Sequence, residues 1–134
     1  MITVAVASKA RHWAWWQSLA ACGLPLSSSW PWWKFNSDKA STPSPDDWRD
    51  RWEKNIADAA AADILLFLDL EGENQCGGLI ELGAALAAGK QVFIVSKNFW
   101  SVEHHRRVRK FDDLESAIRA IKAKQAGTAA RAAA

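Results

Sequence analysis

Between Asp63 and Asp69 the chain carries an unbroken apolar run, Ile64-Leu65-Leu66-Phe67-Leu68. A strand with one wet face alternates apolar and polar residues, and a run this short between two aspartates is too brief for a buried helix. The run therefore predicts a strand covered on both faces, the pattern of a central parallel strand. Parallel neighbours cannot be joined by tight hairpins and need crossover connections, so strands must alternate with helices along the rest of the chain.

The remaining sequence divides accordingly. Residues 2–7 form a short apolar, β-branched run that meets the polar Ser8-Lys9, a strand entering a loop. In residues 11–22, Trp13, Trp16, Leu19 and Ala20 fall at helical spacing before a stop at Gly23. Residues 24–30 read as a second strand. Residues 31–45, rich in Ser, Asp, Asn and Pro, read as a long surface loop. A helix starts at Asp46 or Asp47, carries the stripe Trp48, Trp52, Ile56, Ala59 and Ala60, and ends at Asp63. After the central strand comes an acidic, polar loop over 69–75, then a helix opened by Gly77-Gly78 and closed by Gly89. A strand over 91–96, a loop over 97–109 and a helix over 112–125 complete the order, with Leu114, Ala117, Ile118 and Ile121 facing inward.

With 134 residues, 49% of them hydrophobic, the chain suits a single core and one α/β domain over residues 1–125. Residues 126–134 read as a flexible, Ala-rich C-terminal tail. A formal net charge of +2 gives no general attraction for nucleic acid or an anionic membrane, so any cationic role must be local. Cys22 and Cys76 lack a paired-motif spacing and read as free thiols of a reducing compartment. The N-terminus has neither a basic lead-in nor a cleavage motif, and no segment reaches the length of a bilayer span. The expectation is a soluble, unprocessed, cytoplasmic protein with no membrane partner.

Ligands of parallel α/β sheets sit beyond the carboxyl ends of the strands. The loops that meet there span residues 8–12, 69–78 and 97–109, with the loop at Trp30 alongside. Gly77-Gly78 permits close approach of a ligand to the backbone, and the amides of the following helix start favour an anion or a sugar hydroxyl. Glu81 then projects from that helix near Asp69, Glu71 and Glu73. Local pattern leaves two roles open for Glu81: a carboxylate that complements the helix dipole, or one of a set of carboxylates suited to glycosyl transfer.

The stretch Ala62-Asp63-Ile64-Leu65-Leu66-Phe67-Leu68-Asp69, a polar loop, and then Gly77-Gly78-Leu79-Ile80-Glu81-Leu82-Gly83-Ala84-Ala85 through Val92 resembles the core of the nucleoside 2-deoxyribosyltransferase-like superfamily, which includes the deoxynucleoside 5′-monophosphate N-glycosidases. The resemblance implies a three-layer α/β sandwich, a flavodoxin/Rossmann-like parallel sheet of four to five strands with helices on both faces. It implies that Glu81 is a nucleophile attacking C1′ of a nucleoside or nucleotide, with Asp69 and Asn55 as further catalytic positions and Asp58 one turn from Asn55. Ser8 and Arg11 then hold the substrate, together with Glu71, Gln75, Gly77 and Gly78 of the central loop. Trp30 and Trp32 are candidates to stack on the base. No cofactor is implied, and the expected assembly is a homo-oligomer, a dimer or larger. The chain departs from the family at Gln75, where transferases usually carry aspartate and the monophosphate branch serine, at Asn55 in place of a carboxylate, and at Leu79 in place of a second glycine. These departures support an alternative, a non-catalytic nucleotide-binding or interaction module on the same fold.

The basic cluster from His104 to Lys110 reads as a solvated loop in preference to a phosphate clamp. Adjacent histidines without a third partner make a poor metal site, so no metal is expected. Of the nine tryptophans, Trp13, Trp15, Trp16, Trp48 and Trp52 are assigned to the core or a subunit interface.

Overall fold

The computed structural model describes residues 1–8, 13–28, 44–70 and 76–133. Its elements are β1 (Val4–Ala7), α1 (Trp13–Ala21), α2 (Pro45–Ala61), β2 (Ile64–Asp69), α3 (Cys76–Ala87), β3 (Gln91–Ser96), a single 3-10 turn (Ser101–His104), β4 (Val108–Phe111) and α4 (Leu114–Ala133). The strands pair in the order β1-β2-β3-β4, all parallel.

The apolar run at the centre of the sequence is the centre of the sheet. Every residue of β2 is buried, and alternate side chains feed opposite layers. Leu66 and Leu68, with Val4, Val6, Phe93 and Val95, pack under Trp16 and Leu19 of α1 and Ala117 and Ile121 of α4. Leu65 and Phe67, with Ala5, Ala7, Val92 and Ile94, pack under Ala59 of α2 and Leu82 and Ala85 of α3. Helices therefore cover both faces, as a three-layer sandwich requires. The small side chains of Ala5, Ala7, Ala59 and Ala85 keep the α2–α3 layer close to the sheet, which matters for the polar groups these helices carry.

The structure departs from the sequence reading at four elements. Residues 24–30, expected as a strand, contribute one parallel bridge, Leu26 to Val4, within the described residues. Val4 N donates to Pro25 O at 2.9 Å and Ser27 N donates to Val4 O at 2.8 Å, but proline has no N–H with which to extend the ladder. Residues 108–111, the first two expected as the end of a loop and the others in no element, form β4. Their Val-Arg-Lys-Phe sequence hides the strand because this is the sheet edge, where charged residues are accommodated: Arg109 is exposed and Lys110 pairs with Glu103. Helix α2 begins under a Ser44 cap, one residue before the expected aspartates: Ser44 Oγ accepts from Asp47 N at 3.1 Å and Asp47 Oδ2 accepts from Ser44 N at 2.9 Å. Finally, α4 continues helical to Ala133, through the segment expected as a tail.

The rotation of α2 also differs. Trp48 and Ile56, expected to face the sheet, are 43% and 39% exposed; Ala59 of the same stripe is buried as expected, and Asn55, outside the stripe, is buried beside it. Among the described residues no helix is long and apolar enough to cross a membrane.

Candidate active site

The chain leaves β1 through α1 on one face of the sheet and returns to β2 through α2 on the other. The carboxyl ends of β1 and β2 thus flank a crevice from which helices diverge, the usual ligand position in an open parallel sheet. Ser8 follows β1 there, and Asp69 ends β2.

Glu81 lies in the second turn of α3, on the face turned toward the sheet, and is 8% exposed. It lies beyond the first turn, where a carboxylate would complement the helix dipole. Burial pushes its carboxyl up to about 8; the Arg51 guanidinium pulls it back and the Asp58 carboxylate adds to the rise. Burial also lowers Arg51 from its ordinary value, with Glu81 opposing. Arg51, Asn55 and Asp58 recur at i, i+4 and i+7 on α2, so one helix face presents a cation, an amide and a carboxylate toward α3. Asn55 is 5% exposed. Among the described residues no hydrogen bond or ion pair joins either the Glu81 carboxyl or the Asn55 amide.

The close contact of α2 and α3 is set by Gly77. A Cβ at this position would lie 3.2 Å from Cη2 of Trp52, tighter than ordinary packing. The bare backbone of Gly77 admits the Trp52 indole, and one turn farther along each helix come Asn55 and Glu81. Arg51 also stacks on Trp48, 5.0 Å from the ring centroid.

Asp69, expected among the catalytic carboxylates, is 2% exposed and its Oδ2 accepts three hydrogen bonds. Ser96 Oγ donates at 2.7 Å, Asn98 Nδ2 at 3.1 Å and the Trp100 indole Nε1 at 3.1 Å. Trp100 also meets Phe67 edge-on with centroids 5.6 Å apart. Asp69 therefore ties the end of β2 to the loop after β3. Ser8 Oγ accepts from the Trp16 indole at 2.9 Å, which anchors it to α1. Gly78 lies in the first turn of α3. Arg11, Trp30, Trp32, Glu71 and Gln75 lie outside the described residues.

Sequence reasoning had named Asp58 only as a neighbour of Asn55 and had not singled out Arg51, Ser96, Asn98 or Trp100. The signal for Arg51 and Asp58 was their helical register with Asn55, masked by the stronger tryptophan stripe. The basic cluster disperses: Lys110 pairs with Glu103 at 3.2 Å, Arg109 stacks on Phe93 and Phe111, and Arg107 lies over Gly89. Among the described residues no three His, Cys, Asp or Glu side chains are grouped to hold a metal.

No family model and no curated protein matches the sequence. A solved structure does: the CMP N-glycosidase BcmB of Clostridium botulinum matches with a TM-score of 0.52, covering 90% of this chain and 98% of that one, at 15% identity. The shared feature is the fold.

Proposed function

We propose that this protein cleaves or transfers the N-glycosidic bond of a nucleoside or nucleotide, with Glu81 as nucleophile. The observation that carries the reading is the buried Glu81 carboxyl, its proton affinity raised by burial, facing Arg51 and Asp58 on a fold that also serves a nucleotide N-glycosidase. In the reaction, ionised Glu81 attacks C1′ and the C1′–N bond breaks with its electron pair leaving on the base, which takes up a proton. We assign management of that proton to Asp58, and recognition of the base to the Asn55 amide. The resulting glycosyl ester is released to water or to a second base, with retention at C1′. Arg51 favours the ionised nucleophile. Asp69, with its Oδ2 committed, acts by holding the loop that carries Trp100. Ser8, Arg11, Trp30, Trp32, Glu71, Gln75 and Gly78 are assigned to substrate contacts. A homo-oligomer fits the exposed Trp48 and Ile56 of α2 and Leu79 and Ile80 of α3.

The test is incubation with a panel of nucleosides, deoxynucleosides and their 5′-monophosphates, CMP included, with chromatographic detection of free base. Release that disappears in Glu81→Ala supports the proposal; no release from any member, or full activity in Glu81→Ala, refutes it. A second reading, a nucleotide-binding module without turnover, is favoured by Asn55 standing where a carboxylate would assist. It predicts thermal stabilisation by nucleotides with no base released.

A further inference from the structure

We propose that the pole of the sheet opposite Glu81 carries a second binding site, for a small molecule bearing a phosphate group. A cleft of about 300 Å³ opens there between the amino ends of β2 and β3 and the last turns of α4, lined in part by Asp63, Lys90, Gln91, Lys124, Thr128 and Arg131. Its volume is at the lower end for small-molecule sites and accommodates a phosphate with a modest organic group.

The wall from α4 is ordered by helical register, since Lys124, Thr128 and Arg131 stand at i, i+4 and i+7. Lys90 enters from the turn between α3 and β3, and Gln91 is the first residue of β3. The Arg107 guanidinium over Gly89 adds a fourth cation at the rim. Against these stands one carboxylate, Asp63, whose Oδ2 accepts from Thr3 N at 2.9 Å and from Thr3 Oγ1 at 3.3 Å. Among the described residues Lys90, Lys124 and Arg131 make no ion pair, and the side chains of Lys90, Gln91, Lys124 and Thr128 make no hydrogen bond. Arg131 is steadied by its own helix, Nε donating to Gly127 O at 3.2 Å, which leaves its terminal nitrogens as donors toward the cleft.

Helix dipoles account for part of this arrangement, because Lys90 follows the carboxyl end of α3 and Arg131 ends α4. They do not account for Lys124, more than two turns inside α4, nor for the neutral donors Gln91 and Thr128 beside it. Like charges gathered in a concavity repel one another, and an anion in their midst offsets that repulsion. Ammonium, guanidinium, hydroxyl and amide donors with little competing acceptor capacity match a phosphate's oxygens. Convergence in a cleft, with a chain near neutrality overall, favours a compact anion over an extended polyanion.

The experiment is titration of the full chain with inorganic pyrophosphate at low salt, followed by calorimetry and by amide NMR. Saturable one-site binding is expected, with the largest shifts at Lys90, Gln91, Lys124 and Thr128. Lys90→Gln and Lys124→Gln should each weaken it at least tenfold. Arg119→Gln, a cation paired with Glu115 on exposed surface, should leave it unchanged, as should Glu81→Gln, which separates this site from the proposed chemistry. Absence of saturable binding, shifts scattered over the surface, equal losses in Arg119→Gln, or preference for an RNA oligonucleotide over pyrophosphate would overturn the proposal. The wild-type shift map decides the matter even where a variant folds poorly.

Discussion

Replacing Glu81 by glutamine should change the pH dependence of stability more than stability itself at acid pH. The carboxyl rises from an ordinary 4.5 to about 8 in the folded chain because it is buried. Its folded value is the raised one, so the folded state holds a proton that the unfolded state has already lost. The associated stability is intact below about pH 4.5 and falls as pH rises, until the folded carboxyl ionises near 8. At about 1.4 kcal/mol per pH unit the full loss is about 5 kcal/mol, as large as the whole stability of a marginal domain. Glu81→Gln keeps the shape and the neutral form at every pH. Urea unfolding of both proteins from about pH 5 to 9 should therefore show near-equal stability at the acid end, with the variant gaining steadily to about pH 8 and holding its lead beyond. A stability difference flat across this range would refute the assignment of a buried, neutral Glu81.

Other expectations follow from the same contacts. If ionised Glu81 is the nucleophile, kcat/KM for base release should climb with pH to a midpoint near 8; Arg51→Met should move that midpoint up and Asp58→Asn should move it down, read from pH–rate profiles. Asp69→Ala strands the donors of Ser96, Asn98 and Trp100, and should cost about 2–4 kcal/mol in denaturant unfolding, with one indole N–H resonance shifted by NMR. Gly89→Ala forces a side chain onto a φ of 77° and toward the Arg107 guanidinium; a loss of about 1–2 kcal/mol is expected in thermal melts. Trp48→Ser with Ile80→Ser should shift light-scattering mass toward monomer if these exposed side chains are an oligomer contact.

Much of the fold was legible because burial on two faces leaves a mark in composition. A run such as Ile64–Leu68 cannot be stable except as a covered strand, and one such strand imposes helical crossovers on its neighbours. Glu81 was legible as a position for a related reason: glycines and a short helix after a buried strand locate the carboxyl end of the sheet. The edge strand β4 was not, since an edge selects for the charged residues that also mark loops. Nor was the setting of Glu81. Which face of α2 turns inward depends on where α3 lets it approach, and that is fixed by Trp52 lying on Gly77, a contact between residues far apart in the chain. Propensity and periodicity pointed to the tryptophan stripe; packing against α3 instead turned Arg51, Asn55 and Asp58 toward the site. The sequence by itself determined a central parallel strand and the carboxylate beyond it. Only the tertiary structure decided that this carboxylate is buried and its proton affinity raised, because that affinity is set by desolvation and by charges on another helix.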